Sequence, residues 1–236
     1  MNATLPIACD EARITPAIED YLKVIYQLNQ EEPQVGSVSG QRIAERLGVA
    51  SPSVTNMVKR LRELGLVEYE RYRGVQLTLE GERLALEVVR HHRLLERYLV
   101  EALGYRWDEV HDEAERLEHH ISEALEARMA AALGDPTVDP HGDPIPHLDG
   151  SIMDVVGFPL SELISGQDAL VHRVSDRDPE RLRYLEELGI RPGVAIRMLE
   201  ALPFDGPLRL EVAGVERMIG RPLAAVVQVA PGARAA

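Results

Sequence analysis

The segment ASPSVTNMVKRLRELG, Ala50 to Gly65, decides how the N-terminal third of the chain folds. Ser51 followed by Pro52 reads as a helix start. A serine hydroxyl can cap free backbone N–H groups, and proline suits the first turn because it has no N–H to lose. Val54, Met57, Val58 and Leu61 recur on one helical face, and the run stops at Gly65. Upstream, GQRIAERLG reads as a shorter helix ending at Gly48, joined to the next by a tight GVAS turn. Further upstream, Thr15-Pro16 opens a helix marked by Ile18, Leu22 and Ile25. Downstream, LVEYE, RYRG and VQLTLEG read as strand, turn and strand, with Tyr72, Arg73 and Gly74 at the tip. Two short helices followed by such a hairpin predict a winged helix-turn-helix.

That reading assigns DNA contacts. A recognition helix sets its N-terminal residues in the major groove, here Ser51, Pro52, Ser53, Thr55 and Asn56. Asn can read adenine through paired hydrogen bonds, and small side chains make lesser base contacts. Lys59, Arg60, Arg71 and Arg73, with Tyr72 at the wing tip, suit the phosphate backbone. Residues 36–75 carry a net charge of +3 although the whole chain carries −13. A small basic patch on an acidic body suggests different partners for the two parts. The competing reading is a winged helix used for protein contacts.

The 236 residues are compatible with two or three small domains. Aromatic residues make up only 4%, so Leu, Val, Ile and Ala must fill the cores. No apolar run approaches a membrane span, and MNATLPIACDEAR lacks the regions of a secretory signal, so the expected location is the cytoplasm. The single cysteine, Cys9, can form neither an internal disulfide nor a thiolate cage. From Glu80 to about Gly134 the pattern is helical, with one clear break at GYRW, 104–107. GDPTVDPHGDPIPHLDGS, 134–151, marks a boundary or a pinned loop. Beyond it, β-rich runs separated by Gly and Pro, with one helix from Asp178-Pro179 to Gly189, predict a small β-barrel-like module. The expected domains are 1–78, 79–150 and 151–236, in a fold that is mainly α with small β parts.

Chemistry concentrates in HDEAERLEHH, His111 to His120. At about 100° per residue, His111, Glu115, Glu118 and His119 share one arc, at the margin of an apolar stripe of Ala114, Leu117, Ile121 and Leu125. Carboxylates and imidazoles that converge at such a margin are costly unless neutralised. No Lys or Arg lies in the arc, and a divalent cation would resolve the conflict. HHRLLER adds His92 and Glu96 one turn apart, and Asp20 stands on the first helix. The alternative is a solvated acidic face. His91 and His120 read as outward-facing neighbours.

With these residues placed, the sequence resembles the diphtheria toxin repressor and MntR family of metal-dependent transcriptional regulators. The carrying segments are IEDYLKVIYQL, VASPSVTNMVKRL, YERYRGVQLTLEG, HHRLLERYL, HDEAERLEHHISEALE and PHGDPIP. The stretch from Pro159 to Gly193 resembles the SH3-like, FeoA-type domain of longer members. The resemblance implies a central helical dimerisation domain, a homodimer, and metal-dependent binding to double-stranded operator DNA of palindromic form. It implies a primary metal site of Asp20, Glu115, Glu118 and His119. A second site would use His92 and Glu96, with His111 as a possible member, and Asp139, His141 and Asp178 as further candidates. Asp178 also sits where a helix N-cap belongs.

The iron-sensing branch has Met and Cys where this chain has Asp20 and Glu115, and carboxylate oxygen suits Mn²⁺ better than sulfur does. Mn²⁺ is therefore the expected cofactor, with Fe²⁺ or another divalent transition metal as alternatives. Lys23 stands where MntR has a Glu, so that protein's binuclear arrangement does not carry over intact. The expected function is a metal-gated repressor of manganese or iron uptake genes, and not an enzyme. The rivals are a winged-helix regulator gated by an organic ligand and a dinuclear metal hydrolase. The latter lacks HExxH and any marked nucleophile.

Overall fold

The fold is described from a computed structural model, which covers residues 14–32, 34–70, 73–153, 157–175 and 177–232. The chain divides into two compact units. One contains the residues up to Arg90 together with Pro146–Gly150, and the other contains His91–Ile145 with the residues from Ser151 onward.

The first unit is the expected winged helix. Helices α1 (Pro16–Glu31), α2 (Gly40–Leu47) and α3 (Ser51–Glu63) precede a hairpin of β1 (Val67–Glu70) and β2 (Gly74–Leu77). Its core is hydrocarbon: Leu22, Ile25, Ile43, Val54, Leu61, Leu66 and Val75 are buried together, with Ala85 and Val89 from helix α4 (Leu79–Leu103). Val38 and Val75 exchange backbone hydrogen bonds of 2.8 Å, which adds a one-residue third strand to the wing. Gly74 is required there. Its φ is 120°, and a Cβ would lie 2.6 Å from the Val38 carbonyl oxygen.

Two helix starts differ from expectation. Ala50, not Ser51, is the N-cap of α3, and no side chain caps that helix or α1. Proline in the first turn of each helix removes one of the N–H groups a cap would serve.

In the second unit, α5 (Val110–Leu117) and α6 (Glu123–Ala132) pack with the C-terminal part of α4 around Leu94, Leu95, Ala114, Met129 and Ala130. The helical run therefore has a second break, at 118–122, that periodicity did not reveal. The C-terminal part is the expected SH3-like module. Strands β3 (Phe158–Pro159), β4 (Asp168–Val174), β5 (Ala195–Ala201), β6 (Leu208–Val212), β7 (Val215–Ile219) and β8 (Val227–Pro231) form one antiparallel sheet in the order β3-β8-β4-β5-β6-β7. Alternate residues such as Ala169, Val171, Ile196, Met198, Leu208 and Leu210 enter its core, as a period of two requires. Helix α7 (Pro179–Leu188) covers that core with Leu182 and Leu185, and Trp107 also lies in it. A short helix α8 (Arg221–Ala224) precedes β8.

Candidate metal centre

Helix α4 sets His92 and Glu96 on one face, as the spacing predicted, and α5 brings His111 against them. His92 Nε2, His111 Nδ1 and Glu96 Oε1 form a triangle with sides of 3.1, 3.2 and 3.4 Å. Glu115 joins this group, with its Oε1 3.8 Å from His111 Nε2. The sequence arc had set Glu115 with Glu118 and His119 as well. Glu118 follows the last residue of α5 and keeps helical dihedrals, with its N–H on the Ala114 carbonyl at 2.9 Å. Glu118 turns inward and is 1% exposed. Its Oε2 lies 2.5 Å from His92 Nδ1, and its Oε1 lies 3.4 Å from His119 Nε2.

Glu96 faces a second group with its other oxygen. Glu96, Asp139 and His141 are all buried, and their candidate ligand atoms lie within 4.8 Å of one another. Glu96 Oε2 has no hydrogen bond and sits 3.6 Å from His141 Nδ1. Asp139 Oδ1 accepts from the backbone N–H groups of His141 and Asp143, at 2.8 and 2.9 Å, and so shapes the loop. Gly142 lets that loop touch β4. Its φ is 92°, and a Cβ would fall 2.1 Å from the His172 carbonyl oxygen.

The electrostatics of the two groups suit a cation. Burial pushes the Asp139 carboxyl well above the usual carboxylate range, and the Asp143 and Glu96 charges add to the shift. At Glu96, burial acts in the same upward direction. It is outweighed by the imidazoles around it, the His92 charge first and then His111, His141 and His92 as close polar neighbours, which hold Glu96 well below its ordinary value. Arg93 Nε lies 4.0 Å from Asp139 Oδ2. Its other nitrogens bind the loop at the Pro144 carbonyl (2.5 Å) and Asp143 (3.3 Å). A buried orphan carboxylate oxygen, two imidazole-carboxylate groups and no sulfur fit a hard or borderline divalent cation.

Of the other residues read from the sequence, Asp178 has a structural part. Asp178 caps α7, where its Oδ1 accepts from the N–H groups of Glu180 (3.0 Å) and Arg181 (3.2 Å). It belongs to none of the His and carboxylate groups found among the described residues. Asp20 lies on α1 in the first unit. His91 was read as an outward neighbour. It is partly buried, with Nδ1 3.2 Å from the Glu118 carbonyl oxygen and Nε2 3.2 Å from Glu126. His120 is exposed, as read. No ligand motif marks Arg93, Asp143 or Trp107 in the sequence, because they act through the loop.

On the winged helix, Ser51, Pro52, Ser53, Thr55, Asn56, Lys59 and Arg60 are all exposed, while Val54, Val58 and Leu61 face the core. Arg73 is exposed at the wing and pairs with Glu70 at 3.0 Å. Arg71 and Tyr72 lie outside the described residues.

A winged helix with a polar reading face, joined to a helical region lined by buried imidazole and carboxylate donors, defines a metal-dependent DNA-binding regulator. Residues 13–75 match the model described as the iron dependent repressor N-terminal DNA binding domain. Residues 78–147 match that of its metal binding and dimerisation domain, and 158–231 match the FeoA domain. The iron-dependent repressor IdeR of Mycobacterium leprae is 38% identical over 191 residues, which span 75% of this chain and 81% of that protein. The diphtheria toxin repressor of Corynebacterium efficiens is 35% identical over 192 residues, 77% of this chain and 82% of that one. Among solved structures, a manganese-dependent transcriptional repressor in complex with manganese is 43% identical. Its TM-score is 0.83, covering 91% of this chain and 99% of that chain. The chain belongs to the diphtheria toxin repressor family of metal-dependent transcriptional repressors, which are DNA-binding proteins rather than enzymes. Among the described residues, no helix is long and apolar enough to cross a membrane.

Proposed function

We propose that the protein is a manganese-responsive repressor of manganese or iron uptake genes. It acts in the cytoplasm as a homodimer on a palindromic operator, through a reading head (1–78), a metal-binding and dimerisation region (79–150) and a C-terminal module (151–236). The observation that carries the choice of metal is the donor set. Every group of converging donors found among the described residues consists of carboxylate and imidazole. Oxygen-rich sites suit Mn²⁺, while thiolate and thioether favour softer ions. The likeness to a repressor solved with manganese supports the same choice.

In this reading Glu115, Glu118 and His119, with Asp20 from α1, make the primary site, as the family resemblance implies. Glu115 also serves the group around His92, Glu96 and His111. Asp139 and His141 extend that group toward the C-terminal module, and Asp178 is a further candidate of the same kind. A bound divalent cation neutralises the converging carboxylates and so permits one fixed arrangement of the helices that carry them. Asp20 makes the attitude of the reading head depend on that arrangement. Asn56, Ser53 and Thr55 then meet base edges, while Lys59, Arg60, Arg71, Tyr72 and Arg73 engage the backbone. Paired half-sites must lie a whole number of helical turns apart, so a dimer whose heads sample many spacings binds weakly. Apparent affinity falls with the competent fraction, and operator DNA must in turn tighten metal binding.

The test is an operator-binding titration at fixed salt with Mn²⁺, Fe²⁺, Zn²⁺ or EDTA, since affinities at unmatched salt cannot be compared. Tight binding is expected with Mn²⁺ at the lowest free-metal concentration. Equal operator affinity in EDTA and in Mn²⁺ would sink the proposal.

A further inference from the structure

His141 is held from two directions, by the Trp107 backbone and by strand β4 of the C-terminal module. Its Nε2 lies 2.7 Å from the Trp107 carbonyl oxygen. A carbonyl can only accept, so Nε2 carries the hydrogen, and in the neutral ring Nδ1 keeps the lone pair. Nδ1 is the atom that faces Glu96, at 3.6 Å. The His141 carbonyl in turn accepts from the Val174 N–H on β4 at 2.9 Å.

Trp107 is anchored away from the donors. It is 5% exposed and packs in the core of the SH3-like module with Leu182, Leu185 and Ile190. Its indole N–H donates to Glu186 Oε2 on α7 at 2.8 Å. The Arg191 guanidinium lies 5.2 Å from the ring centroid, a cation–π distance. The His141 ring stacks on the same indole, with centroids 5.7 Å apart and planes at 23°.

We infer that Trp107 is a positioning residue that makes the His141 donor depend on the folded C-terminal module. Its backbone selects the tautomer that presents Nδ1 to Glu96 and Asp139, and its indole fixes that backbone to the module's core. Partners that orient a ligating histidine commonly set metal affinity as well as geometry. By reciprocity, a cation held by His141 stabilises the attachment of the module. Within this family, the C-terminal module of this chain is thus part of the sensor even where it donates no ligand of its own. The inference rests on His141 being a metal donor, as proposed above.

Two measurements on the dimer of this chain test it. In metal-free protein, imidazole ¹⁵N shifts are expected to show His141 protonated at Nε2, and protonation at Nδ1 instead would overturn the inference. Calorimetric titration with Mn²⁺ alone then compares wild type, His141→Ala, Trp107→Ala and Trp107→Phe. Trp107→Ala is expected to weaken the His141-dependent class of sites about tenfold and to leave the other class unchanged. Trp107→Phe, which keeps an aromatic ring in the core, is expected to recover most of the loss. If His141→Ala binds Mn²⁺ like wild type, the donor assignment fails and the inference with it. If His141→Ala differs from wild type but Trp107→Ala does not, the coupling alone is wrong. The ¹⁵N measurement on wild type decides the tautomer even if Trp107→Ala misfolds.

Discussion

The winged-helix core and the donor region of the second unit bury opposite kinds of side chain. In the winged helix, Leu22, Ile43, Leu61 and Leu66 are wholly enclosed hydrocarbon. In the second unit, Glu96, Glu118 and the loop residues Asp139 and His141 are enclosed to the same degree, at 0–2% exposure. Apolar burial stabilises a fold in any solution. Buried acids cost stability unless something neutralises them. The core of the first unit contains nothing that calls for a metal, whereas the buried acids of the second carry a cost that a bound cation would offset.

The largest effect that could break this contrast is Leu61→Ala. It should destabilise the winged-helix unit by about 3 kcal/mol, read as a lower denaturation midpoint both with Mn²⁺ and with EDTA. A loss confined to one condition would mean that the two cores are not independent. Metal removal comes next. EDTA should weaken operator binding by up to about a hundredfold, the upper range of ordinary coupling between sites, while leaving the winged helix folded by circular dichroism.

Asp139→Asn sharpens the contrast from the other side. The amide oxygen can still accept the His141 and Asp143 N–H groups, but the buried charge is gone. Thermal stability without metal should hold or rise, while Mn²⁺ affinity should fall about tenfold or more. A fall in metal-free stability would show that the charge serves the fold. At the reading face, Asn56→Ala should cost about 1–3 kcal/mol of discrimination at one base pair. Arg73→Ala should weaken all sequences alike and reduce the salt slope by about one.

The smallest effect is expected at Asp178. Asp178→Ala removes the α7 cap and should cost about 1 kcal/mol. Asp178→Asn keeps a capping oxygen and should restore that stability. If Asp178→Asn still lowers Mn²⁺ affinity, the carboxylate also serves the metal.

Much of the first unit was legible because its signals are local. The face of Val54, Val58 and Leu61, the turn after Gly48 and the wing follow from helical and strand periods. The pairing of His92 with Glu96 was legible for the same reason, since one helical turn joins them. The grouping around them was not. Helical angles set Glu115 with Glu118, but they carry no information about the meeting of Glu118 with His92, 26 residues away in the chain. His91 shows the same limit, because its partners Glu118 and Glu126 lie 27 and 35 residues away.

By itself the sequence determined the winged helix, the family and the chemical character of the donors, because periodicity and ligand type are properties of short stretches. Only tertiary structure decided how those donors are shared. Glu96 offers one oxygen to His92 and His111 and the other to His141, and a loop shaped by Asp139 and pressed on β4 at Gly142 carries His141 there. Residues so far apart in the chain meet only when the cores on both sides have formed. The reason is that the buried carboxylates stand where packing, rather than local preference, holds them.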